Sequence, residues 1–209
     1  MKKIGIMGGT FDPIHNGHLM LAERSYRQYG LDQVLVIPNK LPAYKDTDEL
    51  LDARQRSEMV KLAIRPYSYM QYSDMELRRQ GITHTVDTLM ELNRQYPDDR
   101  FYFILGADSL VHFEEWYQYR EILKLAVILC AGRDGLECEK LNPIREKLLS
   151  QVPEARIAYL DTPMIDISST DIRERIAQKE WVMNRIPKPV YQYIMEIWHK
   201  PEECRRRMV

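Results

Sequence analysis

Short runs of uninterrupted apolar residues alternate along the chain with stretches in which apolar residues recur every three or four positions. The runs at 3–7, 33–38, 69–73, 101–106, 125–130 and 156–160 lack polar alternation. Each therefore reads as a strand buried on both faces. The stretches at 18–29, 53–64, 85–95 and 144–149 read as amphipathic helices. Gly30 closes the first, Pro66 the second, and Pro97 follows the third. Strand and helix in alternation predict an α/β protein, a doubly wound parallel sheet with helices on both faces. Two segments break the alternation. "PNKLPAYKDTDELLD" is a long polar connection after the second strand, and connections of that length are commonly functional. From Ser168 onward the chain reads as a helix, a "RIPKP" break and a C-terminal helix at 190–198. Helices appended after the last strand often cover one side of a site.

Composition narrows the class without naming a chemistry. A chain of 209 residues with 44% hydrophobic and 29% charged content suits one folded domain, 1–209, and excludes disorder. Its net charge of −1 provides no field that would recruit nucleic acid or an acidic membrane. The basic "CRRRMV" reads as a solvated tail. "MKKIGIMGG" has too brief an apolar run for a secretory signal, and "LAVILCAG" is far too short to span a bilayer. Cys130, Cys138 and Cys204 are too scattered for a disulfide framework or a zinc site. A reduced, cytoplasmic protein is expected, and a homo-oligomer is left open.

The chemistry concentrates where the first strand ends, in "GIMGGTFDPIHNGHL" from Gly5. The turn lacks G-x-x-x-x-G-K-[ST], so it is not a Walker-type phosphate loop, and its glycines do not fit G-x-G-x-x-G. What it does contain is His15 and His18, three residues apart, at the start of a helix. That spacing places both imidazoles on one face beside backbone N–H groups that lack helical partners. Taken alone, the pair reads equally as surface or core histidines or as a ligand clamp. Metal ligation lacks a third ligand at suitable spacing. The preceding strand and "GGTFDP" favour a phosphate clamp.

At these residues the sequence resembles the nucleotidyltransferases with an H-x-G-H signature, and within them the bacterial nicotinate-nucleotide adenylyltransferases. The resemblance covers nearly the whole chain. It extends through "DARQRSEMV", "ELRRQGITHTVDTLMEL", "FILGADSLVHFEEW" and "ISSTDIRERI", in the family's order. It implies a Rossmann-like fold and a Mg²⁺-assisted reaction of ATP with nicotinate mononucleotide, giving nicotinate adenine dinucleotide and pyrophosphate. By resemblance, Gly8, Gly9, Thr10, Phe11, His15, His18, Gly106, Asp108, Ser168 and Ser169 would bind ATP. His15, His18, Lys45 and Arg173 would carry catalysis, and Thr85, Trp116 and Tyr117 would hold the acceptor.

The residues themselves fit that chemistry. A phosphate nucleophile is already ionised at neutral pH, so no protein nucleophile is needed, and no Ser/His/Asp or Cys/His arrangement is visible. Positioning and charge stabilisation are what remain. Ser168 with Asp171 forms a capping-box pattern, and Arg173 one turn in makes that helix start suitable for phosphate. Asp108, after a strand ending at Gly106, reads as a helix cap or as an acceptor for ribose hydroxyls. Trp116 reads as core or as a platform for a pyridinium ring. Thr83 is expected to cap the third helix. Two positions depart from the family pattern: Tyr44 stands where a histidine is usual, and His84 where a tyrosine is common. Related enzymes with another acceptor, such as nicotinamide mononucleotide or phosphopantetheine, and a non-catalytic nucleotide-binding regulator are the alternatives.

Overall fold

The computed structural model describes residues 1–41, 50–132, 134–163 and 167–198. The elements run β1 (Lys3–Gly9), α1 (Asn16–Tyr29), β2 (Gln33–Pro38), α2 (Ala53–Ile64), β3 (Met70–Tyr72) and α3 (Thr85–Gln95). Then follow β4 (Arg100–Leu105), α4 (Ala107–Val111), a 3-10 turn (Phe113–Glu115), α5 (Tyr119–Leu125) and β5 (Val127–Gly132). The last elements are α6 (Asp134–Gln151), β6 (Ile157–Asp161), α7 (Ser169–Ala177) and α8 (Lys188–Trp198). The six strands form one sheet in the order β3-β2-β1-β4-β5-β6, with β1–β4, β4–β5 and β5–β6 each parallel. This is the doubly wound α/β architecture that the alternating pattern predicts. Among the described residues no helix is long and apolar enough to cross a membrane.

All six expected strands are present, β2 at the expected bounds and the other five shifted by a residue or two at their ends. The largest shift is at β5, because Leu125 belongs to α5 and the Ala126 N–H closes that helix on the Ile122 carbonyl. The expected helix at 144–149 is a correction: α6 is 18 residues long and runs through Pro143. A proline removes one helical hydrogen bond without ending a helix that is otherwise supported, and pattern reading stopped there. The short α4 and α5 carry too few residues to show a period.

The backbone divides into two compact units interleaved in sequence. The first is Met1–Gly8, Leu21–Leu35 and His84–Ile165. The centres of its interior strands are buried: Ile6 and Ile128 are fully inaccessible, and Phe101, Phe103 and Ile104 nearly so. The register sets Ile4 beside Phe101 and Leu105 beside Cys130. The outermost β6 is half-buried, as an edge strand is. The chain order reverses between β1 and β4, whose carboxyl ends are marked by Gly8 and Gly106. Such a reversal is where α/β sheets bind ligands.

The second unit is Gly9–Met20, Val36–Thr83 and Asp166–Val209. Here α2 packs on α8, and Met59 and Val60 of α2 and Val190, Ile194 and Ile197 of α8 are all buried. The start of α2 is firmly capped. The Asp52 carboxylate accepts from the Arg54 N–H at 2.7 Å, and the Asp52 N–H donates to Gln55 Oε1 at 3.2 Å. A cap of this kind is worth about 1 kcal/mol.

Candidate active site

In the second unit the turn after β1 builds the histidine pair from backbone geometry. Phe11 adopts a left-handed φ of 51°, the Asp12–Pro13 peptide is cis, and Phe11 is buried with its ring edge-on to His18 at 5.0 Å. A non-glycine residue in that region costs about 1–3 kcal/mol, so packing must hold it there. Gly9 makes room for it: a Cβ at Gly9 would come within 3.0 Å of the Phe11 ring.

The first helical bond of α1 runs from the Leu19 N–H to the His15 carbonyl at 3.3 Å, which makes His15 the N-cap and His18 the third helical residue. The two histidines then cap each other. The His15 N–H donates to His18 Nδ1 at 3.3 Å, and the His18 N–H donates to His15 Nδ1 at 3.4 Å. This is a capping box made of imidazoles. The rings stack with centroids 3.6 Å apart and planes 26° from parallel. An amide can only donate, so both Nδ1 atoms are acceptors and each neutral ring carries its proton on Nε2. Each neutral ring thus keeps an Nε2–H donor. The start of α1 is fastened from outside: the Asn16 N–H donates to the Arg185 carbonyl at 2.9 Å, and Asn16 Nδ2 to the Asn184 carbonyl at 3.0 Å.

The first turn of α7 docks on the same turn. Ser168 is its N-cap, its hydroxyl accepting from the Asp171 N–H at 3.0 Å. Ser169 Oγ donates to the Pro13 carbonyl at 3.0 Å, and Arg173 Nη1 to the Asp12 carbonyl at 2.7 Å. His15, His18, Ser168, Ser169 and Arg173 are therefore brought together, with the α7 amides at one side. The capping box expected at Ser168 is only half formed. The Asp171 carboxylate turns to Arg175 at 2.8 Å and Arg185 at 3.2 Å instead of reaching back.

The first unit holds the other expected residues. Gly8 lies beside the Phe103 ring, and Gly106 is the N-cap of α4. Asp108 is exposed in the first turn of α4 and does not cap it with its side chain. Trp116 is half-buried, edge-on to Phe103 at 5.9 Å and tilted over Phe113 at 5.2 Å. Tyr117 is exposed and meets the His84 ring at 4.7 Å. Thr85 is the first residue of α3, whose N-cap is His84. The expected cap, Thr83, is a correction: its hydroxyl donates to the Leu41 carbonyl at 3.3 Å and so is spent elsewhere. Lys45 and Tyr44 lie outside the described residues.

Sequence reasoning passed over Arg56, which is 1% exposed and hydrogen-bonded to the Thr10 carbonyl. A signal was present. Positions 56, 59, 60 and 63 share one helical face, and Arg56 is a charge on a stripe that is otherwise Met59, Val60 and Ala63.

The cytidylyltransferase-like family matches residues 6–175 of the chain. A protein of Lachnoclostridium phytofermentans named "Probable nicotinate-nucleotide adenylyltransferase" is 42% identical over 94% of this chain and 98% of its own. The nicotinate-nucleotide adenylyltransferase of Bacillus subtilis is 37% identical over 94% of this chain and 97% of its own. Among solved structures, Plasmodium falciparum nicotinic acid mononucleotide adenylyltransferase complexed with APC superposes with a TM-score of 0.76 at 20% identity, covering 95% of this chain and 97% of that one. The same enzyme complexed with NaAD gives a TM-score of 0.75 at 20% identity over 94% and 96% of the two chains. At that identity the structures speak for the fold, and the sequence relatives speak for the family. The chain belongs to the cytidylyltransferase-like family and, within it, to the nicotinate-nucleotide adenylyltransferases.

Proposed function

We propose that the chain transfers the adenylyl group of ATP to nicotinate mononucleotide, forming nicotinate adenine dinucleotide and pyrophosphate in NAD biosynthesis. The observation that carries this reading is the mutual capping of His15 and His18 beside the docked first turn of α7. The start of α7 and Arg173 are anchored on the turn that carries the histidine pair, and this reading assigns to them and to the Nε2–H donors the charge stabilisation that transfer between phosphates requires. An oxygen of the mononucleotide phosphate attacks the α-phosphorus of ATP. The new P–O bond forms as the bond from the α-phosphorus to the bridging oxygen breaks, and that electron pair leaves with pyrophosphate. His15 and His18 donate to phosphate oxygens as charge builds there, and Arg173, Ser168 and Ser169 hold the leaving phosphates. Gly9, Thr10 and Phe11 shape the turn, Gly8, Gly106 and Asp108 serve the nucleotide, and Lys45 adds a cation toward the triphosphate. Trp116 offers its face to the pyridine ring, with Thr85 and Tyr117 beside it.

Among the described residues no three His, Cys, Asp or Glu side chains gather to hold a metal. Mg²⁺ bound to the triphosphate would supply charge neutralisation for the leaving pyrophosphate. The chain acts as one domain, 1–209, in the cytoplasm, with neither nucleic acid nor membrane as a partner.

Pyrophosphate release from Mg²⁺-ATP with a panel of mononucleotides tests the reading. Nicotinate mononucleotide should be the preferred acceptor, and preference for phosphopantetheine, or no release with any acceptor, would refute it. Kinetic order provides a second check. Direct attack needs both substrates bound together, so initial-rate plots should intersect and no adenylylated protein should form. Parallel plots, or a mass adduct after mixing with ATP alone, would overturn direct transfer.

A further inference from the structure

We propose that Arg56 is a positioning residue for this reaction, its guanidinium holding the turn that leads into the histidine pair against the end of β2 and the start of α2. The role rests on the proposed adenylyl transfer; the geometry does not. A guanidinium has five N–H donors and no acceptor. Here all of them are engaged. Nε donates to the Leu51 carbonyl at 3.1 Å, and Nη1 to the Thr10 carbonyl and to Asn39 Oδ1 at 3.2 Å. Nη2 donates to the carbonyls of Asn39 at 2.9 Å and Lys40 at 3.0 Å. Asn39 closes the arrangement, its N–H donating to the Gly9 carbonyl at 3.0 Å and its Nδ2 to Thr10 Oγ1 at 3.2 Å.

A buried charge is a poor way to hold α2 in place, since a methionine would cover the same apolar face. What a guanidinium alone does is draw carbonyls from three chain segments to one point. Burial pulls its pKa below the ordinary guanidinium value, against the opposing pull of the Asp12 and Asp52 carboxylates. Asp12 is itself buried and ties back to the start of α2, its Oδ2 accepting from the Leu51 N–H at 3.3 Å. Thr10 stands two residues before Asp12, whose carbonyl receives Arg173, and five before His15. A shift of the Thr10 peptide therefore moves both the clamp and the anchor of α7. Misplacement by about 1 Å can cost 10²-fold in rate, which is the scale of effect to look for.

Arg56→Lys keeps the charge but offers three donors to five acceptors, so at least two lose their partner. In the folded variant, amide hydrogen exchange at residues 9–18 should quicken at least ~10-fold while β4 and β5 stay protected. With Mg²⁺-ATP and nicotinate mononucleotide, kcat should fall about 10- to 100-fold and both KM values should move less than about threefold. Val60→Ala, on the same helix face and fully buried, removes apolar burial while keeping all five guanidinium bonds. It should leave the exchange at 9–18 and kcat unchanged. Asn39→Ala removes one acceptor and its tie to Thr10, and should show a smaller change of the same kind. If Arg56→Lys does not fold, Asn39→Ala decides by the same two measurements. Unchanged exchange at 9–18, or losses matching those of Val60→Ala, would overturn the role. A parent protein without transfer activity would sink the proposed reaction, and the exchange pattern would then decide alone on Arg56.

Discussion

His18→Ala should lower kcat at least ~10²-fold with the fold retained. The substitution removes one Nε2–H donor and also releases its neighbour. His15 loses the acceptor for its own N–H and the ring stacked on it at 3.6 Å, so its imidazole is no longer held in place. Lost capping should cost about 1 kcal/mol of stability, a change visible in thermal unfolding but too small to unfold the protein. A second variant separates the cap from the donor. His18→Gln places a residue that suits the third position of a capping box and can accept from the His15 N–H. It should recover most of the lost stability while kcat stays at least ~10-fold down, because the amide lacks the stacked geometry of the imidazole. Recovery of both together would mean that His18 is only a cap. Normal activity in His18→Ala would remove it from the mechanism altogether.

The second large effect is the choice of acceptor: nicotinate should be preferred to nicotinamide mononucleotide by about 5- to 150-fold in kcat/KM. With His84 rather than Thr83 as the N-cap, the amides of Thr85 and Val86 form the open start of α3. Unpartnered N–H groups and the positive end of the helix dipole favour a carboxylate over a neutral amide. An amide would turn its NH₂ toward donors and leave groups unpaired, at about 1–3 kcal/mol. Among the described residues the buried Nδ1 of His84 has no hydrogen-bond partner and, in a neutral ring, can accept from an amide; this sets the lower end of the range. The Trp116 face treats both rings alike and should contribute nothing to the discrimination. Competing the two acceptors at equal concentration against limiting enzyme measures the ratio directly. Equal use would show that the start of α3 does not read the carboxylate.

Architecture was legible because it rests on patterns that burial enforces. Strands enclosed on both faces must be apolar throughout, so β1, β4 and β5 announce themselves. The histidine pair was legible from spacing, and the α7 site from Ser168 with Arg173 one turn later. Spacing could not show that the two imidazoles cap each other, because that depends on where α1 begins, and Asn16 begins it through carbonyls near the far end of the chain. The role of Thr83 was hidden for a related reason: a hydroxyl takes whichever acceptor the fold brings near, and Leu41 is 42 residues away. Pro143 misled because a local penalty is outweighed when the rest of an 18-residue helix is supported. The misses at His15, His18 and Thr83 share one cause, a long-range partner overruling a local preference.

The bonds that Asn16 makes to residues 184 and 185 also bear on how the protein can be dissected. The stretch that matches the family stops at 175. Yet Arg185 lies beyond it, pairing with Asp171 and supporting the N-terminus of α1 through its carbonyl, and so does α8, which packs on α2. A fragment trimmed to the recognisable stretch would keep both histidines and Arg173 yet lose the outside support for the first amide of α1. Grafting the motif-bearing stretch onto another scaffold would meet the same obstacle. The smallest portable piece of this chemistry is set by who holds Asn16, and that boundary lies past the last residue any signature marks.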